Sequence, residues 1–414
     1  MKHVKKVLGG ELRQFTMIIA LVALIIIFNI TSGGRMVTSS NFQNLISGNA
    51  YVLVLAIGML MVIVIGQIDL SVGSVAAFSS MAMAIMARQF SLPWWVAVLI
   101  GIAIGVAAGA WHGFWVAKLG IPGFITTLGG MMIFRGGVIW ISKSISVPAP
   151  EELKIFGAGH LPEWGPNTGL NNSTLLLGIL AIAVFTIMQL RKHSRLQKMN
   201  DEKEALWPVL VRIVLVSAVI GYLTILFGSG RLGTSFPIPG VILVILVIIY
   251  HIITQRTRFG RHIYAVGGNK SAAALSGVNV PKTYFLTMLN MSFLAALAGI
   301  MFVGRSTAAG PSDGTGWELD AIASVFIGGA AVAGGIGTVL NTMVGGMVMA
   351  VLNSGLMLMG VGADRTQVIK GLVLLAAVAF DVYNKQQGRK SIIGSIFSKK
   401  GDNPKEGNSV DTST

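Results

Sequence analysis

Asp69, Arg135, Glu318 and Asp320 stand in or beside long apolar stretches of this sequence, where an ionised side chain must find a partner or water. Asp69 lies in GQIDLSVGS (66–74), between an apolar run ending at Ile65 and another starting at Val75. Asp69 and Ser71 have the chemistry to cap a helix that restarts there, with Gly66 and Gly73 permitting the break. Arg135 falls inside an apolar run and calls for protein, water or an acidic partner whose identity the sequence does not give. Glu318 and Asp320, in WELD, open another run, where a helix dipole favours acids. Trp111, His112, Trp115 and Phe124 offer aromatic faces and a polar ring, suited to stacking on a small polar solute or to plain packing. The six histidines are scattered without metal-ligand spacing, and neither G-x-S-x-G nor H-E-x-x-H occurs. GGNKS (267–271) has the wrong spacing for a phosphate loop, and there are no cysteines. No catalytic residue, metal site or cofactor is expected.

Residues 260–281, GRHIYAVGGNKSAAALSGVNVP, form a basic, helix-forming island between two apolar stretches. Asn269 or Ser271 can cap the first free amides, and Ala272, Ala273 and Ala274 favour helix. Gly277 suits a left-handed stop and Pro281 forbids continuation. The segment predicts a helix of about two turns, too short to be stable alone in water. Such a helix gains order by packing on something else.

The elements that must position these residues follow from composition. The 414 residues are 53% hydrophobic and 11% charged, and mean hydropathy is +0.74. These values predict an all-α, polytopic transmembrane protein. Apolar spans fall at about 15–30, 43–66, 74–87, 93–117, 121–142, 172–190, 208–228, 236–254, 284–304, 317–333, 338–360 and 366–383. That reading gives about twelve membrane segments, or ten if the short stretches 74–87 and 317–333 are re-entrant. The basic start is followed by an apolar run without a small-residue cleavage pattern, so the first span is expected to be retained.

The net charge of +15 follows the loops rather than a nucleic-acid-binding patch. With the N-terminus placed in the cytoplasm, 21 basic residues fall on cytoplasmic segments and seven on the opposite loops. This asymmetry predicts that both termini are cytoplasmic and that 143–171 is external. The membrane domain is expected over 1–387, with its cytoplasmic loop at about 255–283, and residues 388–414 read as a polar, disordered tail. No internal repeat is obvious. Two hydrophilic interruptions organise the chain: the external 143–171, either an ordered connector or a contact surface, and 191–207, which reads as a solvated helical extension. Gly101, Gly105, Gly109 and Gly113 recur every four residues and predict close approach of a neighbouring helix. The glycines of 327–338 predict a tight helix-to-helix turn on the cytoplasmic side.

Four stretches in order carry a family resemblance: IDLSVGS (68–74), GAWHGFWVAKLGIPGFITTLGGMMIFRG (109–136), FGRHIYAVGGNKSAAALSGVNV (259–280) and ELDAIASVFIGGAAVAGGIGTVLNTMVGG (318–346). Along most of its length the chain resembles the permease subunits of bacterial ABC importers for ribose, xylose and galactose, most nearly the xylose-type or multiple-sugar branch. The pair of spans near 172–228 fits the longer, xylose-like members. The resemblance implies a homodimer in the bacterial inner membrane, an extracytoplasmic sugar-binding protein that delivers a monosaccharide, and a separate ATP-binding subunit that drives the cycle. It implies that Gly267, Gly268, Asn269, Lys270, Ala272, Ala273, Ala274 and Gly277 belong to the coupling helix seated in the ATPase. Asp69, Ser71, Trp111, His112, Trp115 and Phe124 are the candidates for the transport path. The rival class is an ion-coupled secondary transporter of a small polar solute, which would use intramembrane ionisable residues and a repeat pair; a channel would explain the glycine packing alone.

Overall fold

The computed structural model describes residues 12–166, 168–199, 206–230 and 234–386. The proposed tail at 388–414 lies outside the described residues. Backbone polar groups cannot be left open in lipid, and the described chain is accordingly helical throughout its long elements. In order these are α1 (Leu12–Thr31), α2 (Ser39–Val64), α3 (Val72–Arg88), α4 (Trp94–Lys118), α5 (Gly123–Ser142), the short α6 (Lys154–Ala158), α7 (Asn172–Met199) and α8 (Trp207–Gly228). They are followed by α9 (Ile238–Arg256), α10 (Arg258–Gly268), α11 (Lys270–Leu275), α12 (Val280–Ser306), α13 (Trp317–Ile327), α14 (Val339–Leu358) and α15 (Ala363–Gln386). Two strands of two residues each, β1 (Val147–Pro148) and β2 (Ala308–Ala309), pair antiparallel.

Eight of the described helices, α2, α4, α5, α7, α8, α9, α12 and α14, are long and apolar enough to cross a membrane. The apolar part of α1, Met17–Thr31, and α3 are shorter. The stretches 74–87 and 317–333 are indeed short helices. At 11 residues, α13 rises only about 16 Å, roughly half of a bilayer core.

Helix α2 is the centre. From Ala50 onward it is apolar all round, and from Val52 to Val64 every residue is buried. A helix without a polar face must be surrounded, and α12, α13, α14, α9 and α8 surround it. The glycine stripe of α4 lies on α12 and α3: a Cβ at Gly105 would stand 2.5 Å from Ala296 Cβ, and one at Gly109 would stand 2.7 Å from Leu289 Cα. Helices α7 and α8 pack on each other at the periphery, and α8 is tied to α2 where Gln43 Nε2 donates to the Phe227 carbonyl at 3.0 Å.

Long α2 and long α12 are each followed by a break and then a shorter helix, α3 or α13. The two short helices begin side by side, for a Cβ at Gly73 would collide with the Gly314 carbonyl oxygen. At one end of the bundle the described residues of 143–171 form a cap. Leu153 is fully buried, β1 pairs with β2 beyond α12, and the His160 ring lies 2.9 Å from the Ser235 carbonyl. The turn at 328–338 lies at the other end, with α10 and α11 beside it.

Candidate functional site

Helix α11 is held by its own ends. The Asn269 side chain accepts the Ala272 amide at 2.9 Å. At the far end Gly277, at φ +83°, closes a Schellman motif: its amide donates to Ala274 O and the Val278 amide donates to Ala273 O, both at 3.0 Å. That motif brings Val278 and Ala273 together, and Ala273 is buried, 5% exposed, against its own chain. Of the three alanines that the sequence reading places on this helix, Ala273 thus faces the protein's own interior. Lys270, Ala272 and Ala274 are exposed, and Lys270 Nζ stands 5.6 Å from the Tyr284 ring centroid. The residue missed is Leu275, 91% exposed. Its signal was available, since an αL stop at Gly277 fixes which face of a two-turn helix folds back.

The preceding helix α10 anchors this loop. A Cβ at Gly267 would collide with the Val64 carbonyl oxygen at the end of α2, and the Gly335 amide donates to that oxygen at 2.7 Å. Tyr264 donates its hydroxyl to the Gly337 carbonyl at 2.7 Å, and burial pushes its phenol up from the ordinary range. Gly268 is exposed beside this junction. Backbone therefore meets backbone between the surface loop and the central helix.

The next residues hold the break between α2 and α3. Asp69 is fully buried, and its Oδ1 accepts the Ser71 amide at 2.8 Å and the Ser71 hydroxyl at 2.6 Å. This corrects the capping role given to Ser71, whose hydroxyl is turned to Asp69 and makes no side-chain cap on α3. Among the described residues, Asp69 Oδ2 and both ring nitrogens of fully buried His112 have no hydrogen-bond partner. The His112 ring fills the notch at Gly130 of α5, where a Cβ would collide with Nε2. Around it lies an aromatic group, with Trp111 to Trp115 at 5.9 Å, Trp111 to Phe134 at 6.2 Å and His112 to Phe134 at 5.7 Å between centroids. Phe134 was missed, and Phe124 stands apart, 50% exposed. The Asp69 charge acts on the His112 ring, so the buried polar pair Asp69 and Ser71 adjoins the aromatic group around His112, and Phe124 alone lies on the flank.

The partner of Arg135 is the Asp313 main chain, to whose carbonyl Nη1 donates. The carboxylates of Glu318 and Asp313 supply the nearby negative charge. The Asp313 carboxylate accepts the Gly310 amide at 2.7 Å and lies near the Arg135 charge. Asp320 does more than favour a helix dipole, because Lys370 Nζ of α15 stands 2.9 Å from both its oxygens.

The family described as "Branched-chain amino acid transport system / permease component" matches residues 41–378. The chain belongs to this permease family. Its curated relatives include the xylose transport system permease protein XylH of Haemophilus influenzae, 33% identical over 383 residues, 92% of this chain and 99% of the relative. The Escherichia coli K12 protein of the same name is 34% identical over 91% of this chain and 93% of its own. The ribose import permease protein RbsC of Escherichia coli K12 is 33% identical over 89% and 94%. No solved structure matches the chain. The permease is a multi-pass, all-α membrane protein, and its near relatives are named for sugars although the family carries an amino-acid name.

Proposed function

We propose that this permease is the membrane-spanning subunit of an ATP-driven importer that moves a monosaccharide, xylose-like or of several kinds, delivered by an extracytoplasmic binding protein. Energy comes from a separate ATP-binding subunit seated on α10 and α11, and the permease itself hydrolyses nothing. The observation that carries this reading is Leu275, 91% exposed at the tip of a capped helix whose root is fixed to α2. A leucine held out from a basic surface loop is stabilised by about 1.5–3 kcal/mol if it fills a pocket on a protein partner. The sugar assignment is supported by the names of the xylose and ribose permeases.

Both termini are cytoplasmic in the inner membrane on this reading. A second copy faces the flank that carries Arg135, Asp313 and Glu318, because these side chains are only half-buried on a single chain and charges at membrane depth face protein or water. Asp69, Ser71, Trp111, His112 and Trp115 line or support the polar route, with Phe124 at its edge.

The test is purification in mild detergent followed by uptake in liposomes. Recovery of a nucleotide-binding subunit and sugar uptake that needs ATP support the proposal. Uptake driven by a proton or sodium gradient without ATP would overturn it.

A further inference from the structure

Gln67 joins α2 to α5 at the docking-loop end of the bundle. The Val64 carbonyl is already fixed by the Gly335 amide and pressed by the Gly267 backbone. Two residues on, Gly66 turns the chain at φ +83°, and the Gln67 amide donates to Val62 O at 2.9 Å, so the start of the break is locked to α2. From that fixed point Gln67 Oε1 accepts the amide of Gly123, the first residue of α5, at 2.7 Å. Helix starts leave amides without intrahelical partners, and Pro122 supplies no side-chain cap there. Gln67 therefore caps α5 from another element.

Thr127, one turn along α5, repeats the connection. Its hydroxyl donates to Ile68 O at 3.2 Å and accepts the Leu70 amide at 3.1 Å. Asp69 then passes the restraint to the start of α3 through its two bonds to Ser71. Residues 66–71 are thus pinned to α2, α5 and α3 at once, with the docking loop resting on the α2 end.

We infer that Gln67 and Thr127 are positioning residues that carry displacement of the docking loop to α5 and α3, and through α5 to the Arg135 contact with Asp313. This inference rests on the docking role proposed above. Its physical basis is a continuous chain of backbone contacts and hydrogen bonds between rigid helices, in which the junction at Gly267 and Val64 has no side chain that could rearrange to absorb the motion.

The experiment uses the reconstituted complex of permease, ATP-binding subunit and sugar-binding protein, and reads sugar transported per ATP hydrolysed. Gln67→Ala and Thr127→Val are expected to assemble and hydrolyse ATP near the parent rate while the ratio falls, by about fivefold for the one hydrogen bond lost in Gln67→Ala and by more for the two lost in Thr127→Val. Thr127→Ser, which keeps the hydroxyl, should hold the parental ratio. A parental ratio in both Gln67→Ala and Thr127→Val overturns the inference, as does an equal fall in Thr127→Ser. If one variant fails to assemble the other decides, and failure of both to assemble shows a purely structural role and also overturns it. Failure of the docking reading is separate: it shows as undiminished ATPase binding by a Leu275→Asp variant, whatever the ratio.

Discussion

Ala273 and Leu275 stand two residues apart on α11 and face opposite ways, 5% and 91% exposed. The first packs under the Schellman turn with Val278, and the second projects from the surface. Leu275→Asp should therefore insert and fold like the parent yet lose ATPase association, because it forfeits the roughly 1.5–3 kcal/mol of burying a leucine and would bury an unpaired carboxylate instead. Ala273→Asp should instead melt α11, since it buries an unpaired carboxylate. Co-purification of the ATPase together with thermal unfolding separates the two; retained association in Leu275→Asp would remove the docking role.

Topology can be read with single cysteines, because the chain has none. A membrane-impermeant thiol reagent on intact cells should modify Glu151→Cys and leave Ser194→Cys untouched; both positions are exposed. The opposite pattern would invert the orientation of both termini.

The glycine stripe makes a steric prediction with an internal control. A Cβ at Gly109 would stand 2.7 Å from Leu289 Cα and 3.0 Å from its carbonyl oxygen, whereas one at Gly129 meets nothing within 4 Å. Gly109→Leu should lower the melting temperature in detergent, as overpacking costs about 1–3 kcal/mol or more where backbone is in the way. Gly129→Leu should melt like the parent. Equal melting of all three proteins would contradict the contact of α4 with α12.

Lys370 and Asp320 tie α15 to α13 at 2.9 Å, with side chains 21% and 15% exposed. Lys370→Met alone leaves a mostly buried carboxylate and should cost about 3–5 kcal/mol. Adding Asp320→Asn should recover a large part of that loss. Melting curves of the single and double variants measure this, and a double variant no more stable than Lys370→Met would show that the pair is not coupled.

Much of this protein was decided locally and is legible in the sequence. Apolar runs long enough for a bilayer fixed the class and most spans, and the capping residue Asn269 and the αL stop at Gly277 bounded α11, because caps act on amides and carbonyls only a few residues away. The four-residue glycine spacing likewise announced a close helix contact. The tertiary structure alone decided what meets what: α12 against that stripe, the Asp313 carbonyl for Arg135, Lys370 for Asp320, and Gly123 for Gln67. These partners lie 178, 50 and 56 residues apart for the three hydrogen-bonded pairs, and no periodicity or local propensity encodes contacts at such separations. They exist because α2 from Ala50 onward is apolar on every side and must be enclosed, and the order in which the other helices enclose it determines which buried polar groups find each other.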